Sequence, residues 1–185
     1  IGCAGVGAVI FAQTALFFCF FLPGDSLLFI AGLLSAKGYF NLFSLILMAW
    51  LCAWIGYILA FLFGKKFAVW LEGCPDSLWF KRKYLEKAKL FFARHGQFTL
   101  LLAFFTPVIR TFVPVVMGMA NYSIKRFIST ALIGSLGWSL IFSVAGYLLA
   151  ARFPMLIHYL LPLSLLIIMV SLLPALLSFL RESNN

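Results

Sequence analysis

Apolar residues in this chain run in long blocks and do not alternate with polar ones. No charged residue occurs from Ile1 to Gly24, from Gly38 to Gly64, or from Phe127 to Ala151. Each block exceeds the ~20 apolar residues that cross a bilayer as a helix. Hydrocarbon accepts only backbones whose hydrogen bonds are satisfied internally, and the continuous apolar pattern selects helices over barrel strands. The fold class is therefore an all-α membrane protein.

Two apolar stretches are interrupted, and the interruptions resemble each other. In FFCFFLPGDSLLFIAGLL, Phe17 to Leu34, the break falls at Pro23-Gly24, with Asp25 beside it. In LLLAFFTPVIRTFVPVVMGM, Leu100 to Met119, it falls at Pro107, with Arg110 three residues on and a second proline at Pro114. Proline ends or kinks a helix because it lacks the N–H and crowds the preceding turn. Each half is about ten residues, ~15 Å at the helical rise, which is half a bilayer. These lengths predict two re-entrant helical hairpins. Unbroken spanning helices follow, roughly Phe40 to Gly64 and Ser123 to Ala150, and a third is expected over Pro154 to Leu180. Gly56, Ala60 and Gly64 form a small-residue stripe for close helix contact, and Gly134, Gly137 and Gly146 offer the same on the second helix. The pattern predicts one membrane domain over residues 1–185. Repeat one covers about 7–64, a basic linker 65–95, repeat two about 96–150, and a C-terminal helix 154–180. The repeats are expected to be inverted, as in secondary transporters.

Charge then sets the orientation. The chain is 64% hydrophobic and 10% charged, with a net charge of +9. Eight Lys or Arg crowd the linker between Lys65 and His95, where Leu78, Leu85, Ala88 and Phe92 recur at helical spacing. This predicts an amphipathic helix on the membrane surface rather than a nucleic-acid site. With the linker in the cytoplasm, Lys125, Arg126 and Arg181 join it, and only Lys37 and Arg152 lie outside. The positive-inside rule then puts the C-terminus in the cytoplasm and makes the hairpins enter from opposite faces. Cys3, Cys19, Cys52 and Cys74 read as packing residues, and no Cys, His and carboxylate cluster suggests a metal or cofactor.

Asp25 and Arg110 are the ionisable residues at breaks within apolar stretches. A charge in hydrocarbon costs at least ~2.5–3.5 kcal/mol, so such residues face a cavity or a partner. Opposed hairpins would bring the breaks at Pro23, Gly24 and Pro107 together near the midplane. There Arg110 and the half-helix N-termini would hold an anion, with Thr106, Thr111 and Ser26 as hydroxyl donors. The planar guanidinium suits phosphate oxygens. The bland alternatives are that Asp25 caps the second half-helix and that Arg110 satisfies freed carbonyls.

FLPGDSLL at Phe21 to Leu28, KAKLFFARHG at Lys87 to Gly96, TPVIRTFVPVVMGM at Thr106 to Met119, and the Gly137-Trp138 and Gly146-Tyr147 pairs resemble the DedA family, also called the VTT or SNARE-associated domain. The resemblance runs from about Phe11 to Ala151. It implies a bacterial inner-membrane protein that moves undecaprenyl phosphate, with coupling to the proton or sodium gradient; eukaryotic relatives are similar to lipid scramblases. Asp25 and Arg110 match the family's charged positions. Gln13, Phe104 and Ala53 stand where the family commonly has Glu, Arg and Asp. That departure weakens the case for proton coupling more than the case for anion binding.

The expectation is a transporter or flippase for an anionic, phosphate-headed lipid, without a catalytic site. The alternatives are a non-selective phospholipid scramblase and a non-transporting membrane factor; a lipid phosphatase lacks a positioned nucleophile and acid–base group. The oligomeric state stays open.

Overall fold

The computed structural model describes residues 2–16, 23–72, 96–98 and 101–152, with 69–72 and 107–108 described by backbone alone. Among these residues five helices follow in order: α1 (Gly2–Ala15), α2 (Gly24–Ala36), α3 (Leu42–Glu72), α4 (Pro107–Met119) and α5 (Ile124–Arg152). Residues 101–104 are also helical and turn into α4 at 105–106. No strand occurs among the described residues. Among the described residues two helices are long and apolar enough to cross a membrane, Leu42–Ala68 and Ile124–Arg152.

Helix α3 corrects one boundary. It does not stop at Gly64 but continues through Lys65 and Lys66 to Glu72, because Lys and Arg are good helix formers and nothing breaks the run. The linker thus begins later than expected. The rest of the predicted amphipathic helix and the C-terminal helix over 154–180 lie outside the described residues. So does the arm at 17–22 of the first predicted hairpin; the helix seen before that break is α1.

Apart from the buried Leu45, Tyr57 and Phe61, the side chains of α3 fall on its faces by size rather than polarity. Leu47, Leu51, Ile55, Leu59 and Phe63 form an exposed row at four-residue spacing, whereas Ala49, Ala53, Ala60 and the Cα of Gly56 and Gly64 point inward. Large apolar residues outside and small ones inside suit a helix bathed in lipid, where burying Leu gains little and close backbone approach gains dispersion. On α5 four of the inward residues are small and polar, Thr130, Ser135, Ser139 and Ser143, beside the larger Phe127 and Trp138. Three of these hydroxyls are satisfied within the helix. Thr130 donates to Arg126 O at 2.9 Å, Ser135 to Ala131 O at 2.6 Å and Ser139 to Ser135 O at 2.6 Å.

The short helices pack crosswise. Helix α2 lies against α5, and α4 lies against α3, so these two short helices each meet the long helix of the other half. Helix α1 also packs on α3, and α3 runs beside α5. Glycines make the crosswise contacts possible. A Cβ on Gly32 would sit 2.3 Å from Ser143 O, and one on Gly146 would sit 2.2 Å from Phe29 O. A Cβ on Gly64 would sit 2.1 Å from Val115 O, and one on Gly118 would sit 2.1 Å from Phe61 O. The stripe Gly56–Ala60–Gly64 therefore serves two neighbours, since Gly56 abuts Thr14 of α1 instead.

The two short helices also end alike. Helix α2 closes at Gly38, φ +83°, with the Tyr39 N–H returning to Leu34 O at 3.2 Å. Helix α4 closes at Asn121, φ +54°, with the Tyr122 N–H returning to Met117 O at 3.1 Å. Both turns need a residue that tolerates the left-handed region, and Gly and Asn are the two that do so most readily.

Candidate functional site

Asp25 lies in the first turn of α2 because Pro23 cannot continue a helix and Gly24 starts the next one. Gly24 is close against α1: a Cβ there would meet Gln13 Oε1 at 1.8 Å. Arg110 lies in the first turn of α4, which opens at Pro107, and its N–H bonds Thr106 O at 3.0 Å. The crosswise packing brings these two helix starts together.

Arg110 is buried, 2% exposed, and its Nη1 donates to Asp25 Oδ1 at 2.5 Å. The Asp25 side chain is 21% exposed, so the pair is open on the carboxylate side. A third residue completes the arrangement. Trp138 of α5 donates its indole N–H to the same Oδ1 at 2.7 Å, and the Arg110 Cζ lies 4.6 Å from the centroid of the Trp138 ring. The guanidinium therefore has a carboxylate on one side and an aromatic face on another, both of which favour the cation. Its Nε and Nη2 have no hydrogen-bond partner among the described residues. Buried donors left unpaired cost about 1–3 kcal/mol each, and more on charged groups.

Near this centre lie two further buried polar atoms without partners among the described residues, Gln13 Oε1 and Tyr57 Oη, and farther along, where α5 abuts Gly32 of α2, lies Ser143 Oγ. Tyr57 is fully buried on α3, within electrostatic reach of both Arg110 and Asp25. Phe104 packs edge-on against it, ring centroids 4.8 Å apart at 75°, and fills the hollow over Gly134. Phe104, 1% exposed, and Ala53, 0% exposed, are both core residues.

Of the residues singled out in the sequence, Asp25 and Arg110 meet directly. The α2 N-terminus has no side-chain cap, and the Asp25 carboxylate is turned to Arg110 and Trp138. Gly24 is buried, and Pro23 and Ser26 are half-buried beside Asp25. Thr111 is buried next to Arg110 in the chain. Thr106 is exposed, with its Oγ1 turned back to Leu102 O at 3.5 Å, so it is not a donor into the site. Pro107 is the first residue of α4. Trp138 is the residue that sequence reasoning missed. The Gly137-Trp138 pair was visible, but a tryptophan in an apolar run ordinarily reads as packing or an interface anchor. Cys3 and Cys52 are free thiols, in keeping with a packing role.

A family model described as the VTT domain matches residues 22–148. The chain is similar to Protein DedA of Escherichia coli (strain K12), 37% identical over 176 residues, which cover 94% of this chain and 80% of the relative. An uncharacterized membrane protein of Mycobacterium leprae is 36% identical over 170 residues, covering 92% of this chain and 76% of that one. Inner membrane protein YqjA of Escherichia coli (strain K12) is 31% identical over 157 residues, covering 82% and 68%. No solved structure matches.

Proposed function

The chain belongs to the VTT-domain, or DedA, family of membrane proteins, and from that premise we propose that it carries a phosphate-headed lipid, undecaprenyl phosphate, across the bacterial inner membrane. The observation that carries this reading is the buried Arg110, paired with Asp25 on one nitrogen and, among the described residues, without a partner on its other two. A buried guanidinium with spare donors is a poor structural brace but a good receptor for phosphate oxygens, which accept two parallel N–H bonds. Asp25 supplies the countercharge when no lipid is bound. Ligand phosphate then replaces a carboxylate, one anion for another, so the cation is never left unpaired in a low-dielectric site.

The reading includes two re-entrant hairpins related as inverted repeats and entering from opposite faces. The crosswise packing of α2 on α5 and α4 on α3 supports it, as does the like closure of the two short helices. Proton or sodium coupling enters at Asp25, whose neutralisation removes the countercharge. Placement in the inner membrane is supported by a relative that is named as an inner membrane protein, and a cytoplasmic C-terminus by the distribution of Lys and Arg.

The experiment is transport in proteoliposomes with labelled lipids. Selective movement of polyprenyl phosphate, lost in Arg110→Ala, is the expected result. Equal movement of all phospholipids would make the protein a scramblase, and released phosphate would make it an enzyme.

A further inference from the structure

We infer that Trp138 is a positioning residue of this site: its indole N–H holds Asp25 in place while Arg110 leaves the carboxylate for the phosphate of the ligand. The inference rests on the phosphate-lipid reading for what displaces Arg110, but its geometry stands apart from the substrate.

Asp25 Oδ1 accepts from two donors at once, Arg110 Nη1 and Trp138 Nε1. If Arg110 were the sole donor, binding an anion there would strand a partly buried carboxylate, and stranding a charged acceptor is the expensive event in such a pair. Trp138 prevents it by keeping one charge-assisted bond.

The helix packing says which of the two bonds gives way. Asp25 on α2 and Trp138 on α5 belong to the same glycine-locked pair, through Gly32 against Ser143 O and Gly146 against Phe29 O. Arg110 on α4 belongs to the other pair, locked to α3 through Gly64 and Gly118. The Trp138–Asp25 bond is therefore internal to one tightly packed unit, while the Arg110–Asp25 bond crosses between units. Turning the Arg110 side chain away breaks the second and spares the first. The face of the Trp138 ring meanwhile gives Arg110 a hold that is less directional than a hydrogen bond, so the guanidinium turns without losing its neighbour. Trp50 and Trp54 differ: their indole N–H groups go to main-chain carbonyls, of Leu132 and Ile128, and serve packing.

Two measurements test this. The first uses no lipid: hydrogen exchange of the Trp138 indole N–H in detergent micelles, its signal assigned by its loss in Trp138→Phe. It is expected to stay protected in Arg110→Ala and to exchange about tenfold faster or more in Asp25→Ala, as for one hydrogen bond to a charged group. Exchange as fast in Arg110→Ala as in Asp25→Ala overturns the inference. The second uses Trp138→Phe in proteoliposomes, which keeps a ring face and removes the donor. Binding of polyprenyl phosphate is expected within about threefold of the parent and transport about tenfold slower. Parental transport, or binding lost as completely as in Arg110→Ala, overturns it. If the parent itself moves no polyprenyl phosphate, the lipid reading falls and the exchange measurement alone decides the role of Trp138; should Trp138→Phe fail to fold, the indole signal is assigned instead by its loss in Trp138→Tyr and the exchange measurement again decides.

Discussion

Gly64 of α3 and Gly118 of α4 face each other's backbones so closely that a Cβ on either would sit 2.1 Å from a main-chain carbonyl oxygen of the other helix. A main-chain atom cannot swing aside as a side chain can, so the helices must part. Gly118→Ala is expected to destabilise the protein by about 1–3 kcal/mol, the usual cost of overpacking. Gly137→Ala is the control, since its Cβ would meet only Phe105 Cζ at 4.0 Å; it is expected to be neutral or to stabilise by up to ~1 kcal/mol through helix propensity. Thermal melting in detergent compares the two, and equal melting points would refute the contact.

Arg110→Lys keeps the charge and loses the planar fork. Lipid binding is expected to fall by about tenfold or more, because a point charge cannot make the paired bonds to phosphate. Equilibrium binding of labelled polyprenyl phosphate measures this. Parental affinity in Arg110→Lys would reduce the role of Arg110 to charge alone.

Asp25→Asn separates binding from turnover. It removes the negative charge that competes with phosphate for Arg110, while a side-chain oxygen remains to accept from Trp138. Binding is expected to hold or tighten, and transport to slow by about tenfold, because release has lost its counter-anion. Binding and transport that fall together would remove Asp25 from this exchange.

Phe104 and Tyr57 pack edge to face inside the core. Phe104→Leu keeps most of the apolar volume and loses the aromatic contact, at an expected cost of about 0.5–1.5 kcal/mol. A double-mutant cycle with Tyr57→Phe, which removes only the hydroxyl, should show the ring contact to be independent of that hydroxyl. Strong coupling between the two substitutions would place the hydroxyl in the same interaction.

Topology is checked by labelling. Lys83→Cys, in a background without Cys3, Cys19, Cys52 and Cys74, should react with an impermeant maleimide only after the cells are opened. Reaction in intact cells would reverse the orientation.

Much of this was legible in the sequence, and for a physical reason. Asp25 and Arg110 stood out because hydrocarbon penalises charge, so a charge retained in an apolar run points to a partner. Pro23 and Pro107 marked the starts of α2 and α4 because proline acts locally. What stayed hidden depends on which helices meet. The glycine stripe on α3 announced a close neighbour without saying that its two ends serve different ones, α1 at Gly56 and α4 at Gly64. Trp138 stayed hidden for the same reason: its role depends on α2 lying against α5, and no local pattern encodes that pairing. The end of α3 was misjudged because Lys65 and Lys66 read as a boundary of hydrophobicity, and a helix is free to cross such a boundary.

That last feature has a consequence at the membrane surface. Helix α3 has 31 residues, about 46 Å of helix, against ~30 Å of hydrocarbon. Its C-terminal end thus rises through the headgroup layer and carries the exposed Lys65 and Lys66 with it. Each lysine near an anionic leaflet attracts it by roughly 1 kcal/mol. An acidic headgroup would be drawn to that end of α3 ahead of a neutral one.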